Sequence, residues 1–144
     1  MSQPPDGRLA VLAAGGTGGH LFPAQALAEA LSARGWRIVL ATDERGAQFA
    51  EHFPAEERIA LSAATFRGGD PVGMARAVIQ IGKGVMQARA AFKRLEPAVV
   101  VGFGGYPSLP AMLAAYTTGR PTVIHEQNAV MGRANRLLAG RPVV

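Results

Sequence analysis

Residues 8–14, RLAVLAA, form an apolar run with no polar alternation. Four more such runs follow: RIVL at 37–40, the weaker RIAL at 58–61, AVVVGF from Ala98, and the start of PTVIHEQN at 121–128. A strand reads this way when both of its faces are buried, because neither row of side chains meets water. Helical spacing fills the intervals. Leu27 and Leu31 share a face of a helix expected over 23–34, with Pro23 in its first turn and Gly35 as its stop. Further helices are expected over 45–52, 71–95, within SLPAMLAAYTTG and over 131–139, and RPVV at 141–144 reads as a strand beginning. Strands alternating with helices specify an α/β fold, an open parallel Rossmann-like sheet with helices on both faces. One domain is expected over 8–144, after a polar, proline-rich tail at 1–7 that is read as disordered.

A chain of 144 residues with 49% hydrophobic content can bury a sizeable core. It has no cysteine, which excludes a disulfide framework and a thiolate metal site. The N-terminus shows no signal-peptide pattern, and no apolar run reaches membrane-spanning length, so a cytoplasmic location is expected. The net charge of +5 fits nucleic acid, anionic lipid, a phosphorylated substrate or plain solubility.

Three loops follow strands and should therefore meet at the carboxyl edge of the sheet, where ligands of such folds bind. The first is GGTGGH, residues 15–20. Glycines let backbone N–H groups face a cavity without Cβ obstruction, and the next helix adds its positive N-terminal end, which together make a phosphate nest. The loop lacks the GK[ST] of a Walker motif, and Leu21 stands where the dinucleotide fingerprint needs its third glycine. A tight turn without a ligand is the alternative. His20 lies at the expected helix start, where the neutral imidazole is favoured and can accept a proton, or it is a structural cap. The second loop, GFGGYPS at 102–108, repeats the close-approach logic, and Tyr106 can stack, donate a hydrogen bond or simply pack. In the third, HEQN at 125–128, His125 and Glu126 could pair as around a metal, although one histidine and one carboxylate are too few ligands. Glu126 and Asn128 suit hydrogen bonds to sugar hydroxyls or a nucleobase better, or they cap a polar turn.

Along 71–95 an apolar stripe of Met74, Val78, Ile81, Val85, Ala88, Phe92 and Leu95 is expected to pack on the sheet. Arg76, Lys83, Arg89, Lys93 and Arg94 supply positive charge, a combination that also describes a helix lying on an anionic membrane. Gly82 and Gly84 weaken the helix and are expected to mark a bend.

GGTGGH, GFGGYPS and HEQNAVMGRAN, in this order and spacing, closely resemble the N-terminal domain of the MurG family of bacterial N-acetylglucosaminyltransferases, which make lipid II from lipid I in peptidoglycan synthesis. The resemblance runs from about Arg8 to the end of the chain. It implies the N-terminal half of a two-domain GT-B enzyme. In that family this half mainly holds lipid I, the other half mainly holds UDP-N-acetylglucosamine, and transfer occurs in the cleft between them. It implies that Thr17, Gly18, Gly19 and Asn128 border the donor. Gly15, Gly16, Gly104 and Gly105 would hold the acceptor diphosphate, with Tyr106 and Glu126 lining the acceptor side and His20 as general base. The helix over 71–95, with Arg76, Lys83 and Arg89, falls where the family's membrane-contact patch begins, implying a peripheral place on the cytoplasmic face of the inner membrane. Nucleic acid is not an implied partner. No cofactor is implied, and the chain offers no acidic pair spaced for a metal. The donor half is missing, so this chain alone is expected to be inactive. Two other readings stand beside it: a non-catalytic module binding phosphate ligands or anionic lipid, and a dinucleotide-dependent dehydrogenase with Asp43 as its ribose-binding acid.

Overall fold

The computed structural model describes residues 7–65 and 68–140, so the expected strand at 141–144 and all but Gly7 of the expected tail lie outside it. The elements run β1 (Leu9–Ala13), α1 (Gly18–Ser32), β2 (Arg37–Thr42), α2 (Glu44–Phe49), β3 (Glu57–Ala60), α3 (Pro71–Leu95), β4 (Val99–Gly102), a 3₁₀ turn (Tyr106–Ser108), α4 (Leu109–Thr117), β5 (Thr122–Ile124) and α5 (Arg133–Leu138). The five strands are parallel in the order β3-β2-β1-β4-β5. Leu12 of β1 stands between Leu40 of β2 and Val101 of β4. Strand order therefore reverses at the β1/β4 junction, and the loops after these strands flank the crevice there.

Successive side chains of a strand point to opposite faces, and here both faces are covered. Leu9, Val11 and Ala13 of β1 pack with Val39, Val100, Ile81, Phe92, Met112 and Leu138, on the side of α3, α4 and α5. Ala10 and Leu12 pack with Leu40, Phe103, Leu21, Ala24 and Ala28, on the side of α1. This is the doubly wound arrangement that the continuous apolar runs predict.

Helix α1 begins five residues before the expected Pro23. Thr17 is its N-cap, and the Thr17 carbonyl accepts from the N–H groups of His20 at 3.2 Å and Leu21 at 3.3 Å. Gly18 and Gly19 are thus helical, and Pro23 lies inside the helix rather than in its first turn, where its missing N–H removes one intrahelical bond. Proline signalled the helix, but the glycines before it adopt the same geometry because His20 and Leu21 close the first turn.

The long helix spans the expected residues, and its inward face keeps Ile81, Ala88 and Phe92 of the expected stripe but is rotated from it. Ala77, Ile81, Gly84, Ala88, Ala91 and Phe92 are buried, whereas Met74 and Val78 are exposed. The buried face is rotated toward small residues because α3 packs closely on α4, whose Pro110, Ala111, Ala114 and Ala115 are themselves buried. A Cβ on Gly84 would stand 2.0 Å from the Ser62 carbonyl oxygen and 2.9 Å from Pro110 Cβ, so this glycine is required by packing. Gly82 is exposed, with nothing within 4 Å of its Cβ position. The helix runs unbroken through both. At its end Glu96 turns into the left-handed region at φ +49°, and Arg120 donates to the Phe92 and Pro97 carbonyls, placing a cation at the negative end of the helix.

The two glycines should therefore respond oppositely. Gly82→Ala should stabilise the fold by about 0.5–1 kcal/mol by lowering the entropy of the unfolded chain. Gly84→Ala should destabilise it by about 1–3 kcal/mol through overpacking against backbone that cannot yield. Urea unfolding of the two single variants checks this, and shifts of the same sign would refute the packing role.

Candidate functional site

Loop 15–20 follows β1, loop 102–108 follows β4, and loop 125–128 follows β5, so all three lie on the carboxyl edge. They also touch. Gly104 and Gly105 adopt φ of +92° and +79°, which side chains rarely permit. A Cβ on Gly104 would stand 3.4 Å from His20 Nε2, and one on Gly105 would stand 3.4 Å from His20 Nδ1 and 3.1 Å from the Gly15 carbonyl oxygen. The second loop is therefore a bare backbone shelf on which the imidazole of the first loop rests. Ser108 fastens the shelf: its hydroxyl donates to the Gly105 carbonyl at 2.8 Å, and its N–H to the same oxygen at 3.1 Å.

His20 is the third residue of α1 and half-buried. Its Nδ1 lies 3.1 Å from Thr17 Oγ1. When Nδ1–H donates to this hydroxyl, Nε2 carries the lone pair, and the ring is oriented to accept a proton there. Thr17 makes no side-chain bond to the helix backbone, so its hydroxyl serves the histidine instead of the usual capping role.

Glu126 is the hub of the third loop. Its Oε1 accepts from the Asn128 N–H at 3.0 Å and Asn128 Nδ2 at 2.9 Å, and its Oε2 from the Gly132 N–H at 2.9 Å and Asn135 Nδ2 at 3.0 Å. Four bonds match the lone-pair capacity of a carboxylate. The Gly132 and Asn128 N–H groups hold its pKa down, from an ordinary 4.5 to about 2. Glu126 thus folds the loop and sets the position of exposed Asn128. It does not pair with His125, whose ring instead lies 5.3 Å from that of Phe103, tilted 41°. Among the described residues no group of three or more His, Cys, Asp or Glu is placed to hold a metal ion.

Asn135 is a site residue that spacing alone does not reveal. It is 1% exposed within α5, and its Nδ2 donates both to Glu126 and to the His125 carbonyl at 3.1 Å. The same nitrogen lies 3.2 Å from the Cβ position of Gly104, so Asn135 joins the third loop to the shelf. An asparagine between Ala134 and Leu138, both buried, was the available signal: a polar group inside an apolar helix face needs a reason. Gly15 is buried, with Thr42 Oγ1 2.8 Å and Pro107 Cβ 2.9 Å from its Cβ position, while Gly16 turns the chain at φ +84°. Asp43 caps α2, accepting from the Gly46 N–H at 2.8 Å, with Arg45 at 3.6 Å.

Fold and site together define a class: a doubly wound parallel domain whose glycine shelf and helix-start histidine meet at the topological switch point. The chain matches the Glycosyltransferase family 28 N-terminal domain over residues 10–142, and it belongs to that family. This overturns the dehydrogenase reading, in line with the capping role of Asp43. Over 134 residues it is 73% identical to the UDP-N-acetylglucosamine–N-acetylmuramyl-(pentapeptide) pyrophosphoryl-undecaprenol N-acetylglucosamine transferase of Caulobacter vibrioides, covering 93% of this chain and 37% of that one. The protein of the same name from Phenylobacterium zucineum is 72% identical over 92% of this chain and 36% of its own length. The crystal structure of Acinetobacter baumannii MurG superposes with a TM-score of 0.82 at 32% identity, over 95% of this chain and 40% of that one. The calicheamicin glycosyltransferase CalG4, at 19% identity and TM-score 0.64, shares the fold over 94% of this chain and 37% of its own. The chain thus spans well under half the length of these relatives.

The depressed Glu126 pKa has a definite sign. Its contribution to stability is complete above pH 4.5, where the carboxylate is ionised in both folded and unfolded chains, and is lost as pH falls toward 2. Glu126→Gln should remove that acid-range loss and speed exchange of the Asn128 and Gly132 amide protons at neutral pH. Hydrogen exchange followed by NMR reads both, and unchanged exchange at these two amides would show that the carboxylate does not hold the loop.

Proposed function

We propose that this chain is the acceptor half of a two-domain inverting glycosyltransferase. It would work with a C-terminal donor domain to transfer N-acetylglucosamine from UDP-N-acetylglucosamine to the undecaprenyl-diphosphate-linked muramyl pentapeptide, lipid I, giving lipid II. The observation that carries the reading is the His20 imidazole, held by Thr17 and lying on the Gly104–Gly105 shelf at the switch point. Relatives 72–73% identical bear the name of that transferase.

In this reading the acceptor sugar hydroxyl attacks the anomeric carbon of the donor. The carbon–oxygen bond to UDP breaks, UDP leaves with the electron pair, and His20 Nε2 takes the hydroxyl proton. Backbone N–H groups of the loops at Gly15, Gly16, Gly104 and Gly105 receive phosphate charge of the acceptor, and the N-terminal end of α1 adds to the field. Thr17, Gly18, Gly19 and Asn128 border the donor, with Asn128 placed by Glu126. Tyr106 borders the acceptor. Without the donor domain the chain is inactive.

The lipid acceptor calls for a membrane, and α3 supplies a face for it. Val72, Ile79 and Met86 recur every seven residues and are 62%, 70% and 64% exposed. At 100° per residue, Arg76 and Lys83 flank this row on one side and Arg89 and Lys93 on the other. All four basic residues are exposed. The cavities beside the helix support this split, since one is lined by Lys83 and the other by Arg89 and Lys93. The larger apolar residues that close packing on α4 leaves outside would enter an anionic bilayer surface, on the cytoplasmic side. No helix among the described residues is long and apolar enough to cross a membrane.

His20→Ala in the complete two-domain enzyme should lower kcat by about 10²–10⁴-fold with little change in the KM for UDP-N-acetylglucosamine. A rate within a few-fold of the parent would remove His20 as the base. Reversal of Arg76, Lys83 and Arg89 to Glu should abolish sedimentation of the chain with anionic vesicles, which high salt should also suppress. Equal partition onto neutral and anionic vesicles would refute the electrostatic contact.

A further inference from the structure

A cavity of about 460 Å³ opens next to the glycine shelf, lined by Met74 of α3, Tyr106 of the 3₁₀ turn, and Arg133, Arg136 and Leu137 of α5. Its lining has two chemical characters. Met74 and Leu137 are exposed apolar side chains, Leu137 to 62%. Arg133 and Arg136 are exposed guanidinium groups, and no acidic residue is among the lining side chains described. Arg136 gives one bond to the Met131 carbonyl at 3.2 Å, which orients it from its own loop.

The position is as informative as the composition. Tyr106 directly follows Gly105, whose Cβ position lies 3.4 Å from the His20 ring, so one end of the cavity adjoins the candidate base. Met74 belongs to α3, on the side from which Ile81 and Phe92 enter the core, and exposed Val78 follows it one turn on, so the other end adjoins the apolar start of this helix. A ligand passing from the shelf to this part of α3 meets guanidinium groups together with an apolar wall. Few ligands have that sequence of chemistries; a prenyl diphosphate does, with two anionic phosphates followed by a branched hydrocarbon. Guanidinium groups bind phosphate oxygens in pairs, and apolar side chains shelter the first isoprene carbons.

We infer that this cavity is a subsite for the lipid-side phosphate and the first isoprene units of a polyprenyl diphosphate, with Arg133 and Arg136 on the phosphate and Met74 and Leu137 on the hydrocarbon. The inference rests on the acceptor reading above and adds the residues that would distinguish a lipid-linked diphosphate from a soluble one. Arg133 and Arg136 bind and position here; they take no part in proton transfer.

The test uses farnesyl diphosphate and inorganic diphosphate as probes, titrated calorimetrically into the 144-residue chain in the absence of vesicles. Farnesyl diphosphate should bind at least tenfold more tightly than inorganic diphosphate. Leu137→Asn should weaken farnesyl diphosphate by about tenfold and leave inorganic diphosphate unchanged, because it removes apolar surface without adding a charge beside Arg133 and Arg136. Arg133→Ala with Arg136→Ala should weaken both probes by about tenfold or more. These side chains are exposed, so the fold should survive, and Arg136→Lys should restore part of the binding while a truncation effect on folding would not be restored. Equal affinity of the parent for the two probes, or farnesyl diphosphate binding indifferent to Leu137→Asn, would overturn the subsite. Sugar transfer by the two-domain enzyme is measured separately with His20→Ala. A negative titration with transfer intact therefore rejects this cavity alone, whereas no transfer to lipid I by the unaltered enzyme rejects the acceptor reading itself.

Discussion

The parallel pairing of β1 with β4, Ala10 opposite Val99 through Ala13 opposite Gly102, is the constraint on which the site depends. It ends both strands at the same level, so the loops that follow leave the sheet side by side. At that separation a side chain on either loop would fill the gap. Gly105 comes so near the Gly15 carbonyl oxygen that a Cβ would lie 3.1 Å from it, and His20 occupies the remaining space above Gly104 and Gly105. The glycines are therefore needed first for one loop to pass the other, and only then for a ligand to reach the backbone. This answers why so many are concentrated here despite the conformational entropy each one costs.

The third loop is held by different means. It has no glycine shelf and relies on one carboxylate, Glu126, that accepts four bonds, and on Asn135, which reaches from α5 to the loop and the Gly104 turn. Charge-assisted bonds to an anionic acceptor are stronger than neutral ones, which suits a loop with few apolar anchors. Across the molecule the pattern is consistent: β1 and β4 give a rigid edge, packing glycines bring chains close, and a polar hub fixes the segment that packing does not reach.

Much of the fold was legible because its signals are local. Continuous apolar runs identified β1, β2 and β4, since a strand buried on both faces excludes polar residues whatever its neighbours are, whereas the partly exposed edge strands β3 and β5 left shorter runs. The loops were legible for the same reason: glycines and polar residues clustered after apolar runs have few explanations. Element ends were less legible. Pro23 drew the start of α1 too late, because the bonds from His20 and Leu21 to the Thr17 carbonyl, which close the first turn, leave no mark in composition.

What the sequence by itself determined is the order of strands and helices, the chemistry of the three loops and, through their combination, the family. What only the tertiary structure decided is which atoms of those loops meet and how far the inward face of α3 is turned toward its small residues. Hydrophobic spacing placed Ile81, Ala88 and Phe92 correctly in the core and also favoured Met74 and Val78, yet Ala77, Gly84 and Ala91 lie inside in their stead. Spacing measures how apolar a face is, whereas close packing on α4 depends on how small it is, and that depends on a partner distant in sequence. The same holds for Asn135 and Glu126: their roles follow from contacts between segments, and such contacts exist only once the strands are paired.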